Sequence, residues 1–255
     1  MEHLLVGLVA AGAAALTFFS GFGLGTAMLP VFAIFFEPEV AVAATAVVHL
    51  LNNVLKLGLL RGHVDGSVVL RFGFPAMVAA FGGAVLLDRL AAIEPAATYR
   101  LAGRAFEVEW VAVVLAAVLL AAGVQELTGS DRISFGRRAL PVGGLVSGFL
   151  GGLAGLQGAV RSAFLLKLGL SARGFIATGV AVGLMVDVVR VAIYGTAGGL
   201  GDAARPGVIV AGVAGASIGT VVANRFLHKA TIGWVRLVVG TLLIVVAVAL
   251  GAGLL

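Results

Sequence analysis

The chain has 255 residues, 61% of them hydrophobic and only 11% charged, with a mean hydropathy of +1.15. That profile excludes a water-soluble domain and reads as a polytopic membrane protein. The absence of cysteine excludes disulfides, thiolate metal sites and a cysteine nucleophile, and the net charge of +5 is small enough that its placement says more than its size.

The chain opens on Met1-Glu2-His3, without a basic n-region, so no cleaved leader is expected. Eight apolar segments follow, at 4–36, 41–60, 69–87, 110–127, 140–168, 175–197, 206–222 and 232–255. Six have about the ~20 residues that a helix needs to cross a bilayer. The first is broken by Ser20-Gly-Phe-Gly-Leu-Gly-Thr26, with three glycines at alternate positions, and the fifth by Gly151-Gly-Leu-Ala-Gly-Leu-Gln-Gly158. Glycines there loosen the backbone and free polar groups that lipid cannot satisfy. Such breaks line cavities, and the half-helix N-termini beside them present bare N–H groups suited to an anion. Each broken segment is too long for one crossing and too short for two. Each is therefore a kinked, overlong span, which makes eight full spans, or a re-entrant hairpin.

Charge placement favours hairpins. Lys56, Arg161 and Arg190 lie within apolar segments. With eight full spans, the other Lys and Arg residues divide almost evenly between the two sides. With two hairpins and both termini outside, only Arg89, Arg100, Arg104 and Arg205 fall outside and the rest gather in the cytoplasm, as the positive-inside rule requires. The loop 88–109 then reads as an extracytoplasmic connector. Residues 128–138 form a basic cytoplasmic linker between a first membrane repeat, 1–127, and a second, 139–255.

The halves share an order of features. Gly25-Thr26-Ala27-Met28-Leu29-Pro30 aligns with Gln157-Gly158-Ala159-Val160-Arg161-Ser162. Small slips then bring Ala44-Thr45 onto Ala177-Thr178, Asn53 onto Asp187 and Lys56 onto Arg190. Each half is thus a hairpin plus three crossings, an odd number, so the second enters from the opposite face. The expected fold is an all-α membrane protein of two inverted repeats, an architecture in which alternating-access carriers hold substrate at the midplane.

The paired motifs G-F-G-L-G-T-A-M-L-P and G-F-L-G-G-L-A-G-L-Q-G, each followed by Ala-Thr in the next helix, resemble the glycine-rich signatures of the TauE/SafE family. These are sulfite and organosulfonate exporters, also called the toluene-sulfonate-uptake-permease family. The resemblance covers essentially the whole chain. It implies a bacterial or archaeal plasma-membrane carrier for a small sulfur-containing anion, such as sulfoacetate or sulfite, driven by an ion gradient. Gln157 stands where a further glycine is common, and Ser162 where the first half has Pro30.

The residues support an anion independently. A charge at the bilayer centre costs at least about 2.5–3.5 kcal/mol, so Arg161, Arg190, Asp187 and Lys56 need a reason. Arg161 lies in the first turn of the second half-hairpin helix, where a cation beside exposed N–H groups is reasonable only if an anion completes the site. Alternatively it pairs with Asp187 and holds the halves together. Asp187 and Arg190, three apart, share a face with Tyr194 and are able to pair; Arg190 is then either a substrate contact or half of a packing ion pair. His49, Asn52, Asn53 and Lys56 fall at i, i+3, i+4 and i+7, on one face that avoids lipid. Asn52 and Asn53 donate to sulfonate oxygens or bond between helices. Lys56, five residues before Arg61, is expected to snorkel to cytoplasmic headgroups.

The expected substrate-binding set is Gly23, Gly25, Thr26, Asn52, Asn53, Gln157, Gly158, Arg161 and Arg190, with His49 and Asp187 as coupling candidates for protons. Thr45 and Thr178 are weaker candidates. His63 and His228 lack partners at metal-ligand spacing. No metal, cofactor, catalytic residue or nucleic-acid partner is expected, and no motif of a membrane enzyme is present. Gly212, Gly215 and Gly219 suit tight helix packing or a homodimer contact equally. An uncoupled anion channel is the alternative to a carrier.

Overall fold

The computed structural model describes residues 1–18, 23–101, 104–128, 135–166, 168–196, 200–201, 205–226 and 232–255. Ser20, Gly21 and Phe22 of the first glycine stretch, residues 129–134 of the linker, Lys167, His228 and Lys229 lie outside them. The chain is helical almost throughout. Five helices among the described residues are long and apolar enough to cross a membrane, which makes this an all-α multi-pass membrane protein.

The first apolar segment divides into α1, Glu2–Leu16, and α2, Leu24–Ala33. At ~1.5 Å per residue neither spans the ~30 Å of hydrocarbon alone. The polar-bearing α3, Pro38–Leu60, starts with proline at a position that needs no N–H. A further helix, α4, covers Gly66–Ala91. Asp65 caps it by accepting from the Val68 N–H, and a π-turn at Val69–Gly73 leads into Pro75, where a regular ladder would lose a donor. A connector without secondary structure was the expectation beyond this point. Instead β1, Ala97–Leu101, pairs antiparallel with β2, Arg104–Val108, and Tyr99 stacks on Phe106 at 5.3 Å. Then comes α5, Trp110–Thr128.

The fifth apolar segment likewise divides into α6, Leu140–Ala154, and α7, Gln157–Leu165. The chain ends with α8, Ala172–Thr196, α9, Pro206–Phe226, and α10, Ile232–Gly251. Both broken segments double back. A Cβ at Gly151 would touch the Gln157 side chain at 3.0 Å, one at Gly143 would collide with the Phe164 ring, and Phe135, ahead of α6, stacks on Phe164 at 4.2 Å. At the opposite end of the molecule, Arg205 bonds both Glu2 at the start of α1 (2.8 Å) and the Phe35 carbonyl just past α2 (2.6 Å).

Packing crosses between the first five helices and the last five: α1 lies on α9, α4 on α6, α3 on α8 and α5 on α10. Two of these contacts are backbone to backbone. A Cβ at Gly215 or Gly219 would stand 2.0 Å from the carbonyl oxygens of Gly7 and Ala11, and one at Gly148 or Gly152 would stand 2.0 and 2.1 Å from those of Ala76 and Ala80. Only glycine admits such an approach, which gives small-xxx-small seams their van der Waals contact. Gly215 and Gly219 are thus spent within the chain. The register runs parallel in both seams. In the α3/α8 pair it is antiparallel, with Val42 beside Arg190 and Asn53 beside Gly183.

Candidate functional site: a buried charged centre where the two breaks meet

The breaks converge. Gly23 precedes α2 with φ of +112°, and Gly155 follows α6 with φ of +74°, both in the region that glycine alone enters freely. A Cβ on Gly25 would lie 3.2 Å from the Gly155 carbonyl oxygen and 3.6 Å from the His49 ring. Neither α2 nor α7 carries a side-chain cap, so the first N–H groups of two helices are left to other partners at this point. Gly25, Gln157 and Gly158 are buried in those first turns. Thr26 borders a cavity of about 290 Å³, together with Gln125 and Glu126 of α5, Leu156 of the second break and Ala159 and Val160 of α7.

Asp187, fully buried on α8, organises the centre. Its Oδ2 accepts from His49 Nδ1 at 2.6 Å and Asn53 Nδ2 at 2.8 Å; its Oδ1 accepts from Gln157 Nε2 and from Arg190 NH1, each at 3.3 Å. Helices α3, α7 and α8 thereby meet on one carboxylate. Because Nδ1 of His49 carries the proton given to Asp187, the 3.1 Å approach of Asn53 Nδ2 to that nitrogen is proximity and not a bond. Arg190, also fully buried, sends NH2 to the Val42 carbonyl at 3.3 Å, packs against Gly155 and lies 5.8 Å from the centre of the Tyr194 ring. Its Nε has no partner, nor does the Thr45 hydroxyl. Tyr194 donates to the Gly152 carbonyl and ties α8 to the end of α6.

Arg161, 3% exposed, extends along α8: its NH1 reaches Gln157 Oε1 at 3.4 Å and lies against Gly183. Ser147 steadies the same break by donating to the Gln157 carbonyl at 2.9 Å. Asn52 turns away from this centre; its Oδ1 accepts from Thr220 of α9 at 2.6 Å, joining helices, while its Nδ2 stays unpaired. Thr178 accepts from the Asp65 N–H at 2.9 Å and serves the α4 entry. The expectation for Lys56 is corrected: it is 5% exposed, with its ammonium 5.5 Å over the Phe18 ring. The helix rotation that buries His49 and Asn53 carries Lys56 inward with them.

The cluster therefore holds Asn53, Gln157, Arg161, Arg190, His49 and Asp187, with Gly25 and Gly158 in the adjoining first turns, while Gly23 packs on Thr17, Thr26 borders the cavity and Asn52 turns to Thr220. Ser147, Thr220 and the Val42 carbonyl were not legible as partners, since a lone serine or threonine in an apolar run gives no signal of what it faces. Outside the spans, Glu109 sits beside Glu39, Glu37 and Glu107; burial first, then these carboxylates, pushes its own carboxyl above the usual range.

Broken helices that meet at a polar centre inside a bundle of apolar helices recur in membrane transporters. The chain belongs to the TauE/SafE sulfite exporter family, whose match spans residues 5–250. Members of that family are transporters, and the family points to a small anionic, sulfur-containing substrate. No curated protein and no solved structure matches the chain.

Proposed function

We propose that the protein is a secondary carrier that exports a small organosulfur anion, a sulfonate such as sulfoacetate or sulfite, by alternating access. The observation that carries this is the charge at the meeting point of the breaks. Among the described residues, the buried charged side chains are Asp187, Arg190, Arg161 and Lys56, three cations to one carboxylate. Two uncapped helix N-termini add to the same sign. Such an excess at membrane depth calls for an anion. Gly23, Gly25, Gln157, Gly158, Arg161 and Asn53 are its proposed ligands, and Arg190 holds Asp187 in place.

Inverted repeats, 1–127 and 139–255 around the 128–138 linker, are supported by the antiparallel α3/α8 pair and by the matching parallel seams α1/α9 and α4/α6. Re-entry of both hairpins is supported by Arg205 joining the two ends of the first and by Phe135 meeting Phe164 in the second. Proton coupling runs through His49 and Asp187: the imidazole's Nδ1–H is committed to the carboxylate, and Nε2 makes no hydrogen bond among the described residues. The membrane is the plasma membrane of a bacterium or archaeon.

Purified protein in liposomes tests this. Saturable sulfoacetate or sulfite flux accompanied by proton movement is expected, and Arg161→Ala abolishes it. Uncoupled, unsaturable anion flux contradicts the carrier and makes the protein a channel.

A further inference from the structure

The polar network around Asp187 makes no use of the cavity beside the breaks, since none of the side chains that bond the carboxylate lines it. The two nevertheless adjoin. Thr26 follows Gly25, which packs near the Gly155 carbonyl and the His49 ring, and Leu156 precedes Gln157, which bonds Asp187. Thr26 and Leu156 both border the cavity, so each break presents one residue to the network and the next to the open space.

The wall made by the breaks carries donors. Thr26 and Ala159 are the third residues of α2 and α7, within the turns whose N–H groups have no intrahelical acceptor, and neither helix has a side-chain cap. The Thr26 residue is 9% exposed, and its hydroxyl makes no hydrogen bond among the described residues. Buried hydroxyls are normally paired, so this one calls for a partner in the cavity it borders. Helix N-termini and a hydroxyl together suit an oxyanion.

The facing wall is largely apolar. Ala117, Ala121 and Gln125 recur every four residues, which makes them one stripe of α5, and all three are exposed while lining the cavity. The lining of α5 runs from Ala117 to Glu126, about 14 Å along its axis, and stops within a turn of Thr128 at the linker end. The volume of about 290 Å³ lies near the lower end of small-molecule sites and is more than a bare three-oxygen anion fills. Glu126 stands on the α5 wall, so the charged end of an occupant belongs at the breaks, away from that carboxylate.

We propose that this cavity is the substrate chamber: Thr26 and the first turns of α2 and α7 hold the sulfonate oxygens, and the α5 wall takes the carbon skeleton. This rests on the anion-carrier reading above and names the substrate class within it, an organosulfonate with apolar carbons in preference to bare sulfite.

Methanesulfonate and propane-1-sulfonate form the probe pair, with the same headgroup and charge and a difference of two CH₂ groups. Calorimetry on detergent-purified full-length wild type should show propane-1-sulfonate binding about ten-fold more tightly, because each buried CH₂ adds to affinity. Equal affinities overturn the apolar subsite without any variant. The chain has no cysteine, so Ala121→Cys can be labelled alone. In proteoliposomes, a water-soluble methanethiosulfonate bearing a sulfonate should modify it about ten-fold or more faster than Leu120→Cys, because the thiolate forms only where water reaches. Leu120 is 44% exposed and does not border the cavity. Propane-1-sulfonate should slow the reaction. An unreactive Ala121→Cys would mean that lipid fills the space, which overturns the proposal. Thr26→Val should lose the protection and Thr26→Ser should keep it; undiminished protection in Thr26→Val overturns the part given to Thr26. If sulfite or sulfoacetate raises the melting temperature while no sulfonate protects position 121, the chamber alone falls. If no sulfur anion binds by either measure, the carrier reading falls with it.

Discussion

The two hairpins do the same structural work with opposite chemistry. In the first, all ten residues of α2 are buried, and apart from Thr26 they are apolar or glycine. In the second, α7 brings Gln157 and Arg161 into the interior. Leu29, which the sequence alignment of the halves sets opposite Arg161, is also buried, at 1% exposure. The polar counterpart of α7 has moved to the next helix, where His49, Asn53 and Lys56 line one face of α3. The polar side chains around Asp187 therefore come unequally from the two breaks, α7 supplying Gln157 and α2 none. One hairpin supplies a backbone break, the other a charge, and the two meet at Gly25 and Gly155. In the proposed carrier, an anion held there would contact different groups on its two sides.

The largest effects should be equal in the two halves. Gly148→Val and Gly215→Val each drive a side chain into a backbone carbonyl, at 2.0 Å from Cβ alone, and both should abolish recovery of monodisperse protein. Gly12→Ala, with open space around it, is the control and should leave yield unchanged. Survival of one seam variant would break the equivalence of α1/α9 and α4/α6.

Next in size is the asymmetric centre. Asp187→Asn strands Arg190 in the interior and should cost about 3–5 kcal/mol, read as a lower melting temperature without any ligand. Its geometric neighbour in the first half, Asn53→Ala, removes one of four donors to the same carboxylate and should cost about 1–3 kcal/mol. An Asp187→Asn protein as stable as the wild type would mean that the carboxylate is already protonated in the fold.

The smallest effect lies outside the membrane. Glu109 is held above its ordinary range by burial and by Glu39, Glu37 and Glu107. A carboxyl whose pKa is raised by folding destabilises the native state above that pKa, and the penalty vanishes below the unfolded value. Glu109→Gln should therefore raise the melting temperature slightly at pH 8 and leave it unchanged near pH 4. A gain that persists at pH 4 would show that the charge is not the cause.

Much of the fold was legible because lipid forbids most alternatives. Apolar runs of fixed length, glycines at Gly23, Gly25 and Gly155, and the spacing of Asp187 and Arg190 all report local chemistry. The rotation of one helix against another does not. The polar face of α3 is visible in the sequence, but nothing there says that His49 and Asn53 meet a carboxylate 138 and 134 residues away. The same gap misplaced Lys56, since distance from Arg61 says how deep a residue lies but not which way it points. It also hid Asn52, whose partner Thr220 is one threonine among many small residues in α9. The β-hairpin was missed for another reason: Tyr99, Leu101, Phe106 and Val108 alternate as a strand pair should, around Ala102-Gly103, but the charged residues between them read as a connector.

An anion at the meeting of the breaks is the central claim to test. The direct measurement is the melting temperature of detergent-purified wild type, Arg161→Ala and Leu29→Ala against sulfite, sulfoacetate, isethionate, taurine, sulfate and chloride. A ligand present at a hundred times its dissociation constant stabilises by about 2.7 kcal/mol. One sulfur anion should raise the melt of the wild type and of Leu29→Ala, the latter from a lower baseline, and should leave Arg161→Ala unmoved. An undiminished shift in Arg161→Ala, or stabilisation by none of these anions, would contradict it.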